Sequence, residues 1–114
     1  MPTKEFCKSL RENLELIEGV REVIIYSNQG LVHAHNIKAF AVKKAVLVFL
    51  FHHLNETLAR SANQLTPELF VARSAAVKLV ISHLRDDVFV AITGELNLDE
   101  SRLHNYLRTV AASM

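Results

Sequence analysis

Seven apolar residues in succession, Ala45-Val46-Leu47-Val48-Phe49-Leu50-Phe51, constrain this chain more than any other feature. A helix that touches a core on one side shows an apolar stripe with polar residues opposite. This run instead covers the whole circumference for about two turns. A buried strand or a helix covered on two sides would satisfy it, and periodicity alone does not separate the two. Length and flanks favour the helix. Ala39, Ala41, Lys43 and Lys44 upstream and Leu54, Glu56, Leu58, Ala59 and Arg60 downstream are good helix formers. No Gly or Pro interrupts from Lys38 to Asn63. A strand of about twenty residues would lie far outside the usual ~3–10. The segment Ala39 to Leu58 is therefore read as a helix of about five turns.

Such a helix needs cover on a second side. If Val48 and Phe51 face one layer, Val46, Phe49 or Leu50 point elsewhere. Leaving these in water forgoes roughly 1.5–3 kcal/mol each. Apolar patches of that extent mark interfaces. The expectation is a helix packed on a sheet of its own chain and on a second subunit. The alternative is a deep core with another element of the same chain on top.

Composition sets the remaining bounds. The chain of 114 residues is one domain's worth, spanning 1–114, and half of it is apolar with 22% charged. A formal net charge of +1 supports no strong electrostatic claim on nucleic acid or membrane. A single cysteine, Cys7, rules out an intrachain disulfide framework and suits a reducing compartment. The first residues lack a signal-peptide apolar region. No stretch reaches the ~18 apolar residues of a membrane span. A soluble, cytoplasmic, single-domain protein is expected.

Taken in order, Thr3 to Glu18 reads as an amphipathic helix with Phe6, Leu10, Leu14 and Ile17 on one face. Thr3 is its expected N-cap, and Gly19 stands where the helix end favours a left-handed residue. Lys8–Glu12 and Arg11–Glu15 are spaced for ion pairs. Val20–Tyr26, a turn over Ser27–Gly30 and Leu31–Asn36 make a hairpin. The long helix follows, and Pro67 breaks the chain after it. Leu69–Ser74, Val77–Leu84 and Val88–Thr93 are three strands, with Arg85-Asp86-Asp87 as a polar turn. The last strand is apolar on both faces and belongs in the middle of a covered sheet. Asn97 is the expected cap of a final helix, with Glu100 at the capping-box position and a stripe of Leu103, Tyr106, Leu107 and Val110. The order is α-β-β-α-β-β-β-α. This is an α+β fold with one five-stranded antiparallel or mixed sheet and helices packed on it.

Candidate chemistry is sparse. His33 and His35 are expected to share a strand face, and His83 to lie on a nearby strand. Zinc wants three or four N or S ligands, and Cys7 is the only thiol. His52 and His53 are about 100° apart on a helix and chelate poorly. No metal site is expected. Ser74, Ser82 and Ser101 lack a nucleophile motif. Cys7 reads as packing rather than reacting. No phosphate-binding glycine loop exists. No catalytic residue and no cofactor is expected. Lys38, Lys43 and Lys44 form a small basic cluster read as a solvated helix end.

The whole order resembles the Roadblock family of dynein light-chain-like proteins. The resemblance is carried by Glu18-Gly19-Val20 leading into Val23-Ile24-Ile25-Tyr26 and Ser27-Asn28-Gln29-Gly30-Leu31, similar to the family's opening hairpin. It is carried again by Leu69-Phe70-Val71-Ala72-Arg73-Ser74, Val77-Lys78-Leu79-Val80-Ile81 and Asp86-Asp87-Val88-Phe89-Val90-Ala91-Ile92, similar to its three-stranded meander. The segment after Leu31 is His-rich and short, and the long helix is more apolar than in many relatives. The resemblance implies a profilin-like architecture and a non-enzymatic dimer. In such a dimer the central helices pack side by side and the sheets join edge to edge. Expected interface residues are Val42, Ala45, Val46, Phe49, Leu50 and His53 on the helix and Leu69, Val71 and Arg73 on the sheet edge. Implied partners are a second copy or a related Roadblock protein, and a small Ras-like GTPase or a larger scaffolded complex, with no nucleic acid and no membrane insertion. Two alternatives stand beside this: a profilin- or PAS-like domain sensing a small molecule, and a motor or secretion-complex subunit without a GTPase.

Overall fold

Helix α1 begins because Thr3 can cap it. A computed structural model of the protein describes residues 3–27, 31–37, 69–85 and 88–114. Thr3 is extended, and its Oγ1 accepts from the Phe6 N–H at 3.0 Å. This satisfies one of the donors a helix start leaves open. The helix runs over Lys4–Glu15 and buries Cys7, Leu10 and Leu14, with Phe6 half-buried beside them. The expected stripe is present, with Leu10 and Leu14 buried and Phe6 and Ile17 packed against the same cluster, and Cys7 joins it.

The helix ends three residues earlier than Glu18. Leu16 is its C-cap; its N–H donates to the Asn13 carbonyl at 3.2 Å, and that of Ile17 donates to the Leu14 carbonyl at 3.1 Å. Gly19 does hold a left-handed backbone, at φ +93°, but it serves the turn into the sheet rather than the helix end. A Cβ there would also stand 3.3 Å from Leu98 Cα.

Five strands follow: β1 Val20–Tyr26, β2 Val32–His35, β3 Leu69–Arg73, β4 Lys78–Arg85 and β5 Val88–Gly94. They form one sheet in the order β2-β1-β5-β4-β3. Every pairing in it is antiparallel. The mixed sheet left open by the sequence is therefore not formed. The reason is the docking of β5 between the two hairpins: it runs opposite to β1 on one side and to β4 on the other.

The sheet has two apolar faces. On one, Val23, Ile25, Val80, Val88, Val90 and Ile92 pack with Cys7, Leu10 and Leu14 of α1 and with Leu103 and Leu107 of the last helix. On the other, Ile24, Tyr26, Ile81, Phe89 and Ala91 are buried together with Ile37. No described helix contributes to that second cluster. Antiparallel sheets commonly leave one face to solvent. Here the three central strands are apolar on both, which is why β5 reads as an unbroken apolar run.

The last helix, α2, spans Glu100–Ser113 and is capped by Asp99, whose Oδ1 accepts from the Arg102 N–H at 3.1 Å. The expected cap was Asn97. Leu98 explains the shift. It is buried against Gly19 and Gly94, and its carbonyl takes the Lys78 ammonium at 3.0 Å. The helix begins only after that plug. Gly94 makes the junction possible: a Cβ there would lie 2.6 Å from the Gly19 carbonyl oxygen. The same Gly19 oxygen accepts from the Glu95 N–H at 2.8 Å.

Candidate interaction surfaces

The sheet order leaves two edges, and the expected sheet-edge residues fall on one of them. Strand β3 pairs only with β4 among the described residues. Its register is unbroken, from Leu69 opposite Ser82 to Arg73 opposite Lys78. At the hairpin end Ser74 N–H donates to the Val77 carbonyl at 2.9 Å. Backbone groups alternate inward and outward along an antiparallel strand. Counted from Ser74, those of Ala72 and Phe70 turn inward to β4. Those of Leu69, Val71 and Arg73 turn outward.

The side chains at these three positions serve the fold. Leu69 and Val71 are half-buried against the helix-covered cluster. Arg73 is exposed and reaches Glu100 at 3.7 Å. Glu100 also meets Lys78, Nζ to Oε1 2.8 Å. Lys78 is 2% exposed, unusual for a lysine unless it is paired. It ties β4 to the start of α2 through both Glu100 and the Leu98 carbonyl. The sequence gives no sign of this, since a lysine in a strand ordinarily reads as the solvent face. Both partners come from a later segment.

The other edge, β2, is built differently. Ile25 faces Ala34, but the next residue, Tyr26, faces Val32. His33 is therefore an extra residue, a β-bulge. Its effect is visible in the packing: Ala34 joins the helix-covered cluster while Val32 joins the opposite one. Simple alternation, the ground for expecting His33 and His35 on one face, does not hold along β2, yet both border the space beside α1. Asn36 closes the strand by clamping β1. Its Oδ1 accepts from the Val23 N–H at 2.7 Å, and its Nδ2 donates to the Arg21 carbonyl at 3.2 Å.

The remaining candidates fall as follows. His83 stacks on Phe89 at 4.5 Å between ring centres, and Phe89 stacks on Tyr26 at 5.6 Å. Among the described residues no three His, Cys, Asp or Glu side chains stand together as a metal site. Ser74 is a turn former: its Oγ accepts from the Ala76 and Val77 N–H groups at 3.3 and 3.1 Å. Cys7 is buried, and desolvation pushes its thiol pKa up. This keeps it a protonated packing group rather than a nucleophile. Val42, Ala45, Val46, Phe49, Leu50 and His53 lie outside the described residues, as do Lys38, Lys43, Lys44, His52, the tip Asn28–Gly30 and the Asp86-Asp87 turn. No helix among the described residues is long and apolar enough to cross a membrane.

No protein-family model matches the chain, and no curated protein sequence matches it. Solved structures do. A Roadblock/LC7 domain from Streptomyces avermitilis aligns with a TM-score of 0.72 at 14% identity, over 92% of this chain and 91% of that one. MglB of Myxococcus xanthus aligns at TM-score 0.79 and 9% identity, over 98% of this chain and 86% of that one. An MglB structure with a tetrameric arrangement aligns at 0.74 and 15%, over 96% of this chain and 88% of that one. At such identities the likeness is one of fold. Its extent, together with the five-stranded antiparallel sheet described above, establishes that this chain has a Roadblock-like fold.

Proposed function

We propose that the protein works by association: a non-enzymatic, dimer-forming Roadblock-type module that binds or regulates a small Ras-like GTPase or scaffolds a larger cytoplasmic complex. The observation that carries this reading is the β3 edge. A regular, unbulged edge strand is a template for pairing with another chain. Leu69, Val71 and Arg73 turn their backbone groups outward there, while their side chains stay with the fold. Two copies joined at β3 would extend the sheet across both molecules. The apolar run Ala45–Phe51 supplies the second half of the seam on this reading, through Val42, Ala45, Val46, Phe49, Leu50 and His53. The tetrameric arrangement of one MglB structure of the same fold supports self-association as a use of this architecture.

The test has two arms. Multi-angle light scattering reads association of the chain, and a dimer is expected at micromolar concentration. Biolayer interferometry against small Ras-like GTPases of the same cell, loaded with GDP or a GTP analogue, reads the partner. A preference for one nucleotide state is expected. A dimer that ignores both states reduces the reading to a scaffold, and a stable monomer removes it.

A further inference from the structure

A second copy of the chain can meet strand β3 in several registers, and they are not equivalent. The outward backbone groups belong to Leu69, Val71 and Arg73. Two copies related by a two-fold axis normal to the sheet run antiparallel at their seam. Outward groups then meet outward groups only where the axis falls on a residue position. The choice of position decides how fully the edge is bonded and what stands opposite Pro67 and Arg73.

With the axis on Val71, that residue faces the partner's Val71, and Leu69 faces the partner's Arg73. Every outward N–H and carbonyl of β3 then has a mate. Moving the axis to Phe70 or Leu69 sets Pro67 against the partner's Arg73 or Val71, and proline has no N–H to give. Moving it to Ala72 leaves Leu69 facing the partner's Ala75, past the end of the strand at Arg73. Moving it to Arg73 brings like charges face to face. The side chains agree with the Val71 register. Val71 and Leu69 lie along the helix-covered cluster, so two valines meet at the axis. Arg73 keeps its guanidinium near Glu100 of its own chain, and its aliphatic stem falls beside the partner's Leu69.

We propose that β3 pairs with a second copy of itself in one register, with the symmetry axis at Val71. This rests on the association reading above and deepens it, by naming the occupant of the edge and the residue at its centre. An edge whose outward groups pair fully with themselves, and whose Arg73 then meets Leu69 rather than itself, is self-complementary, as an isologous interface requires. Phe70 and Ala72 turn their backbone groups inward to β4. Across the seam they face each other as a non-hydrogen-bonded pair, with Cα atoms about 4.5 Å apart. A disulfide spans that distance.

The experiment uses the full chain carrying Phe70→Cys or Ala72→Cys, each alone and the two co-expressed, oxidised and run on a non-reducing gel. The co-expressed pair should cross-link to twice the chain mass, and neither variant alone should. The parent, whose one thiol is the buried Cys7, should not cross-link either. Cross-linking of Phe70→Cys alone would put the axis at Phe70, and of Ala72→Cys alone at Ala72; either result overturns the proposal. A second readout leaves the interior untouched: a nitroxide on Arg73→Cys, at an exposed position, read by electron paramagnetic resonance. With the axis at Val71 the two labelled backbones are offset along the strands by about 13 Å, against about 20 Å for an axis at Phe70 and about 7 Å for one at Ala72. A protein that light scattering shows to be a dimer, but that gives neither the mixed cross-link nor the intermediate offset, overturns the register and leaves the association reading standing. A monomer overturns both.

Discussion

The two edges of one sheet are made by opposite means. Strand β3 keeps an unbroken register against β4 and turns the backbone groups of Leu69, Val71 and Arg73 outward. Strand β2 carries an extra residue, His33, and lies beside Lys4, Glu5, Lys8 and Arg11 of α1. A bulge twists an edge and leaves a residue unpaired, which is one way proteins prevent edge-to-edge pairing. On the proposed reading, β3 is the edge that receives a strand and β2 the edge that refuses one. Composition does not distinguish them, since both are short and partly apolar.

Five substitutions probe that difference, and the largest effect should come from the centre. Gly94→Ala places a methyl group 2.6 Å from the Gly19 carbonyl oxygen. Overpacking of this kind should cost about 3 kcal/mol and loosen both edges together. Urea denaturation measures it, and a loss under about 1 kcal/mol would mean the junction yields easily.

Next in size is Val71→Pro. Proline is tolerated on edge strands where its missing N–H would face outward. The fold should survive, while self-association weakens by at least about 100-fold, or 2.8 kcal/mol. His33→Pro is the matching change at the bulge and should leave association alone. Loss of association with His33→Pro but not Val71→Pro would invert the assignment of the edges.

Lys78→Met sharpens the β3 side. It removes the ties to the Leu98 carbonyl and to Glu100 and should cost about 2 kcal/mol. Hydrogen exchange should accelerate in β3, β4 and the first turn of α2 before it does in β1 and β2. Thr3→Ala sharpens the β2 side. Loss of this cap should cost about 1 kcal/mol, with faster exchange confined to the first turn of α1.

The buried thiol gives a smaller, pH-dependent effect on the helix-covered face. Burial raises the Cys7 pKa above its ordinary 9.0. The folded chain therefore holds that proton where the unfolded chain has released it. Stability is fully present below about pH 9 and falls as pH rises above it. Cys7→Ala should flatten that alkaline fall, and an equal slope in both proteins would show that other groups cause it.

Much of this architecture was readable in the residues. Strand β1 runs over Val20–Tyr26 as its composition predicts, and β5 sits mid-sheet as its two apolar faces require. These are local signals: β-branched runs bounded by turn residues. The features that were not readable depend on partners distant in the chain. Lys78 is buried because Leu98 and Glu100 come to it. The α2 cap moved from Asn97 to Asp99 because Leu98 plugs the Gly19–Gly94 junction. The bulge at His33 has no composition signature, since it is a count mismatch between two strands. Of the expected interface, Leu69, Val71 and Arg73 do stand on an edge strand.

Light scattering on the purified chain, repeated with Val71→Pro and with Phe49→Glu, tests the central claim most directly. A charge placed in an apolar seam must be desolvated without a counter-ion, so both variants should run at the mass of one chain while the parent runs at twice that mass. A parent protein that is folded and monomeric at micromolar concentration would contradict the account.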